Sequence, residues 1–334
     1  MKVGTRKDHR LKAILASVAI IGSGACTEYR IETALNSDGS GHRSVTLEAT
    51  DPNRLGEDVT RRDFVEFMSV TEGNGWDHTV QVKSNGDTLF VFKRETPIRD
   101  LNAWTDLNDE IHIFGALPKN ADTKLGHLRL GDLQLRNRVR VSAPGRTDGT
   151  ATFIFQETFE WDHGLEAVLE VFVSEIERFA VAVYPRLSSQ ERGEILGIAR
   201  ATLWPAFENG MLDQLFEEDE ELWNQALDQI SRLAAKTIRT KYPDAGPESV
   251  RERFDLFSEE FEGEVFEPFD RLLPGFSLAG TSVSFRLTMP GRITNTNAHE
   301  RENNTLIWEF NTDDAITAPV VLLAESVVGG SGIN

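Results

Sequence analysis

The spacing of the apolar residues changes twice along this chain, and that pair of changes limits what it can fold into. From Tyr29 to Trp161 apolar and polar residues mostly alternate, the period of a half-buried strand. From about Asp162 to Leu272 the period becomes helical. Leu165, Val168, Leu169, Phe172, Ile176, Phe179 and Val183 form one stripe at steps of three and four. Pro185 ends that helix, and further helices are expected near Ser189–Phe207, Leu212–Thr240 and Glu248–Phe266. Strand pattern then resumes at Ser282–Met289, Thr305–Phe310 and Val320–Val327. The expected fold class is therefore α+β: a beta-rich domain in two parts, 26–161 and 273–328, interrupted by a helical insertion at 162–272. Residues 329–334 are a Gly-rich flexible tail. The insertion holds 11 basic and 25 acidic residues, net −14, in a chain whose net charge is −19. That acidity argues against a nucleic-acid partner, since a phosphate backbone wants a basic face.

Within the first part, Tyr29–Leu35 and Val45–Ala49 flank Asp38-Gly39-Ser40-Gly41, a hairpin signal. A helix follows, with Thr60 as N-cap, Asp63 three residues on, and Phe64, Val65, Phe67 and Met68 as its apolar face. It is expected to end at Asn74-Gly75. Two strands, His78–Lys83 and Thr88–Lys93, bracket Asn85-Gly86. A short helical stretch near Arg99–Asn108 carries Trp104. Leu133–Val141 and Thr150–Trp161 then form a long hairpin across Pro144-Gly145. Phe153, Phe155, Phe159 and Trp161 share its core face.

Residues 1–25 read as a bacterial lipoprotein signal peptide. Lys2, Arg6, Lys7, Arg10 and Lys12 make a basic start, and Ala13 to Gly22 an apolar run too short to span a bilayer. Ser23-Gly24-Ala25-Cys26 resembles the lipobox, with Ser23 where Leu is usual. Cleavage there leaves Cys26 as the first residue and the lipidation site, its thiol carrying the acyl anchor. Cys26 is the chain's one cysteine, which excludes a disulfide framework. The mature chain, with 30 basic and 53 acidic residues, carries −23 and is repelled by anionic headgroups. Membrane attachment therefore has to come from the acyl chains. Thr27, rather than Asp, follows the cysteine, which in a diderm bacterium favours the outer membrane.

Several marks resemble the LppM-type envelope lipoprotein domain: the Asp38–Gly41 hairpin and Asn74-Gly75-Trp76 leading into paired strands. In the tail they are Met289-Pro290-Gly291 with Asn297, Trp308 on a strand, and Ala324-Glu325-Ser326. The resemblance covers roughly residues 27–100 and 280–328. It implies an α+β envelope domain with links to envelope lipids, from which the acidic helical block departs by its size.

No reaction can be read from the residues. The seven histidines lack ligand spacing, so no metal and no cofactor is expected. Gly39-Ser40-Gly41 is too compact for a nucleophile elbow. Trp161-Asp162-His163 reads as an N-cap Asp with a surface His rather than an acid/base pair. Glu217–Glu221 lacks the Gly-centred loop of a calcium site and reads as a solvated helix face. Arg136, Arg138 and Arg140 lie two apart, hence on one strand face, with Leu135, Val139 and Val141 on the other. Such a ribbon can read an anionic headgroup or neutralise the protein's own carboxylates. Two functions follow as expectations. One is a lipid-anchored, non-enzymatic module binding an amphiphile or an envelope protein, with no catalytic residues. The alternative is an envelope hydrolase whose site is assembled from distant residues.

Overall fold

The computed structural model describes residues 27–50, 61–82, 88–116, 120–143, 146–147, 150–211, 221–260 and 281–329. The fold is α+β and divides into two compact units. One is a β unit built from both ends of the sequence. The other is a helical unit that takes His163–Pro274 and also Thr123–Leu130. Among the described residues no helix is long and apolar enough to cross a membrane.

The β unit contains two sheets. The first has the order β13-β14-β11-β1-β2-β4-β3. Its strands are β1 (Thr27–Leu35), β2 (Gly41–Thr50), β3 (Asp77–Val82), β4 (Thr88–Ile98), β11 (Ser282–Thr288), β13 (Glu300–Glu302) and β14 (Thr305–Asn311). The second has the order β12-β15-β10-β8-β5. It comprises β5 (His112–Phe114), β8 (Gln134–Ser142), β10 (Thr150–Asp162), β12 (Arg292–Thr296) and β15 (Val320–Val328), with β9 (Arg146–Thr147) beside β10. The two parts of the sequence meet in the middle of both sheets. β1 runs parallel to β11, and β10 antiparallel to β15. The alternation explains the layering. Tyr29, Ile31, Val45, Leu47 and Phe285 face inward from the first sheet. Leu135, Val139, Phe155, Phe159 and Leu322 face inward from the second, all buried. Phe155 meets Phe285 at 6.0 Å between ring centres, and Phe159 meets Phe310 at 5.0 Å. Each such ring contributes about 1.5–3 kcal/mol by leaving water.

The Asp38–Gly41 turn has a packing role. Asp38 Oδ1 accepts from the Ser40 N–H (2.9 Å) and hydroxyl (2.6 Å). Gly39 sits at φ +87°, which suits a residue without Cβ. Its carbonyl accepts the Trp104 indole N–H at 3.0 Å. A Cβ on Gly41 would lie 2.6 Å from the Trp104 ring. Trp104 sits on a 3-10 turn at Asn102–Leu107.

Helix α1 covers Arg61–Phe67, shorter than the expected run to Asn74-Gly75. Ser69 takes the left-handed conformation at φ +53° and breaks the ladder. A separate 3-10 turn, Glu72–Asn74, then precedes Gly75. Thr60, Asn85-Gly86 and Pro144-Gly145 lie outside the described residues.

The helical unit contains α2 (Gly164–Val183), α3 (Ser189–Glu208), α4 (Glu221–Ile238), α5 (Pro247–Glu260) and the hairpin β6 (Lys124–Leu125)–β7 (Leu128–Arg129). Phe179 of α2 packs edge-on against Tyr184, Phe254 and Phe257. The apolar cavity beside it measures about 20 Å³, room for one water and far too little for an acyl chain. A capping box opens α3. The Glu191 carboxylate accepts from the Ser188 N–H (2.7 Å) and hydroxyl (2.8 Å) and from the Thr240 hydroxyl (2.9 Å). These bonds, led by the backbone one, hold its pKa down to about 2 from the ordinary 4.5. The linked stabilisation is therefore present above pH 4.5 and lost as pH falls toward 2. A carbon-detected NMR titration should place the Glu191 midpoint near 2. A midpoint at the ordinary value would remove the capping bonds from the argument.

Candidate functional site

The arginine ribbon is where the alternation of β8 puts it, on the outer face of the second sheet. Arg136, Arg138 and Arg140 stand opposite Glu160, Thr158 and Gln156 of β10. The structure separates the three. Arg136 Nε lies 3.2 Å from Asp162 Oδ2, and its guanidinium donates to Gln134. Among the described residues Arg138 and Arg140 have no ion-pair partner. The next strand, β15, places Val321 opposite Thr158 and Leu323 opposite Gln156. Two rungs thus run cation, neutral polar, apolar across about 10 Å. Val321 is one of the few large apolar side chains left exposed.

Behind the ribbon lies a cluster that sequence reading missed. Arg43 of β2 and Glu157 of β10 both point into the core and are fully buried. The guanidinium bridges the sheets through two bonds to Glu157, 2.7 and 2.8 Å. Arg43 Nε also lies 2.5 Å from Glu110, in ion-pair contact but off the hydrogen-bonding line. Asn137 Nδ2 donates to Glu157 at 2.8 Å, and the Asn137 side-chain oxygen accepts the Ile111 N–H. Burial acts to lower the Arg43 pKa, but Glu157 and Glu110 together outweigh it, so the group stays charged. Packed on every side, this is a strut between sheets. Its signal was present in the sequence: Arg43 and Glu157 occupy the phase otherwise held by Val45, Leu47, Phe155 and Phe159.

The helical unit gathers a second polar group. Buried Glu170 takes two bonds from Arg200, at 2.7 and 2.9 Å. Glu166 meets His127 through one oxygen and His163 Nδ1 through the other, the latter at 2.7 Å. Gly126, at φ +60°, leaves room for the Glu170–Arg200 pair: a Cβ would fall 2.0 Å from Glu170 Oε2 and push that carboxylate aside. No group of His, Cys, Asp and Glu among the described residues has metal-site geometry. The expected capping arrangement needs correction. His163, left-handed at φ +62°, occupies the N-cap of α2. Asp162 turns away to Arg136. β10 ends at Asp162, whose side chain stays on the strand face of Arg136, and the left-handed turn at His163 then opens the helix.

Other motif residues are structural. Asn297 accepts from Trp308 Nε1 (3.0 Å) and from the Leu323 N–H (2.8 Å), joining β14 of one sheet to β15 of the other. Cys26 and Glu217–Glu220 lie outside the described residues.

No family model matches the chain, and no curated protein matches it. Among solved structures it is similar to the NMR structure of the folded domain of the LppM protein of Mycobacterium tuberculosis. That likeness has 8% identity, covers 92% of this chain and 93% of that one, and has a TM-score of 0.27. It involves the family that the hairpin and tail motifs resemble, at a level of similarity that assigns neither fold nor function.

Proposed function

We propose that this chain is a lipid-anchored cell-envelope protein that acts by binding, without chemistry of its own. Cys26 carries the acyl anchor, and Arg138 and Arg140 contact an anionic group. The anchor rests on the basic start, the apolar run and Ser-Gly-Ala-Cys. The binding reading is carried by one observation. In a chain with 54 acidic residues against 35 basic ones, two strand arginines have no described carboxylate partner and stand two strands from Val321 and Leu323. A guanidinium fork on a phosphate or carboxylate is a charge-assisted contact. The apolar side chains suit the tail of the same amphiphile.

The ribbon is level with Arg43, whose partner on β1 is Thr33. It therefore lies roughly 20 Å along the strands from Thr27. A single amphiphile, or an acidic protein surface, fits that height better than the anchoring bilayer does.

Short-chain phosphatidylglycerol, below its micelle concentration, is the probe. It should shift the amide resonances of β8 and β15. Arg138→Gln with Arg140→Gln should weaken it about tenfold, the loss of two partly exposed charge-assisted contacts. Equal binding by the double variant would overturn the headgroup contact and leave an acidic envelope protein as the ligand. For the anchor, Cys26→Ser should abolish acyl labelling and release the protein from membranes. An unmodified Cys26 in the mass spectrum of the wild-type amino terminus would refute it.

A further inference from the structure

The register of the first sheet shows which end of the β unit a lipidated Cys26 would hold against the membrane. Thr27, the residue after the cysteine, is already the first residue of β1. It stands opposite Ala49, Ala49 opposite Phe90, and Phe90 opposite Val80. One rung across the sheet therefore joins Thr27 to Val80, three strand spacings or about 14 Å apart. Val82 stands opposite Thr88, two residues further toward the cysteine's end, about 7 Å beyond that rung. It thus reaches two residues past the level of Thr27.

What stands at this end differs from the rest of the surface. Val80 and Val82 share one face of β3 and are 48% and 75% exposed, Val82 more than any other large apolar side chain described. On β1, β2, β4 and β3 the described residues on the rungs from Thr27 outward, Thr27, Ala49, Thr50, Val80, Gln81, Val82, Thr88, Leu89 and Phe90, carry no charge, and the carboxylates Asp313 and Asp314 follow the Thr281–Thr312 rung on the other side of β1. The same sheet one rung inward carries Glu28 opposite Glu48, with Arg30 bonded to both.

We propose that the Val80–Val82 end of β3 is a membrane-contact surface, dipping into the interfacial layer of the bilayer that holds the anchor. The proposal rests on the reading of Cys26 as acylated. The thioether-linked glycerol sits at headgroup depth. With no spacer before β1, the rungs beside the cysteine are held at that depth too. Apolar side chains there enter the boundary between headgroups and acyl chains, which extends about 5–10 Å. The uncharged rungs beside Val80 and Val82 limit repulsion between this acidic chain and anionic lipids to the other side of β1, where Asp313 and Asp314 stand. The contact also covers the end of an edge strand that is otherwise exposed along its length.

The test uses the lipidated full chain in vesicles. Acylation consumes the thiol of Cys26, the one native cysteine. Val82→Cys then supplies a single site for an environment-sensitive fluorophore, and His42→Cys, near the opposite end of the sheet, supplies the control. Brominated phosphatidylcholine in the vesicles should quench the label at 82 by roughly half and leave the label at 42 unaffected. Equal quenching at both positions, with Cys26 shown acylated by mass spectrometry, overturns the contact surface alone. An unmodified Cys26 overturns the anchor and the surface together. A label at 82 that is shielded without quenching, in a protein that sediments as a dimer, overturns the proposal in favour of β3 pairing between two copies.

Discussion

Replacing Arg43 by methionine should lower the stability of the β unit by about 3–5 kcal/mol, the cost of breaking a buried ion pair from one side. The guanidinium is fully buried and holds Glu157 and Glu110 at once. Without it, Glu157 is left buried with no cation beside it, and Glu110 keeps only Arg94, whose Nε lies 3.5 Å away. Urea unfolding should show a lower midpoint with an unchanged slope. The combination Arg43→Met, Glu157→Leu and Glu110→Leu should recover most of the loss, since apolar groups of similar volume serve as well as a buried ion pair. A single variant within about 1 kcal/mol of wild type would show that the cluster admits water or relaxes freely.

Trp104→Ala should cost a similar amount, about 3–5 kcal/mol, for a different reason. Trp104 is fully buried and meets Phe155 edge-on at 6.0 Å between ring centres. Its indole N–H satisfies the Gly39 carbonyl. Truncation leaves a cavity beside Phe155 and an unpaired carbonyl in the Asp38–Gly41 turn. Gly41→Val should approach the same loss from the other side. Its Cβ has the Ala34 carbonyl oxygen at 2.5 Å and the Trp104 ring at 2.6 Å, and backbone cannot move aside cheaply. If Gly41→Val unfolded at the wild-type midpoint, the tight seat of Trp104 beneath this turn would be wrong.

Much of the layering was legible in the alternation, because a one-residue slip would expose the aromatic face of β10 to water. The helical segment was legible for the same reason, from the stripe on α2. Short strands such as β5, β12 and β13 were not, since three to five residues carry too little period to read. Arg136, Arg138 and Arg140 were correctly placed on one face. Their unequal partners were not legible, because Asp162 meets Arg136 as a diagonal neighbour across the β8–β10 pair, and only the observed register, with Asp162 opposite Gln134, places it there. The Arg43–Glu157 pair shows the same limit. Each residue visibly breaks its strand's apolar phase, but only the packing of one sheet on the other names the partner. His127 joined His163 and Glu166 through a two-strand hairpin that no periodicity announces.

The residue Thr312 bonds β-unit residues on either side of the long helical segment. Its carbonyl accepts Trp161 Nε1 at 2.8 Å, and its hydroxyl accepts the Thr281 N–H at 3.0 Å. The last residues of β10 and the first before β11 are thereby pinned to one point. To the β unit, His163–Pro274 is a loop whose mouth is already closed. Closing a flexible loop costs only about 0.6 kcal/mol more for each doubling of its length. The sandwich is therefore nearly indifferent to how much chain is carried between those two points. What such a segment must still satisfy, whatever its length, is the Thr312 clasp at its mouth and the Thr123–Leu130 hairpin that belongs with it.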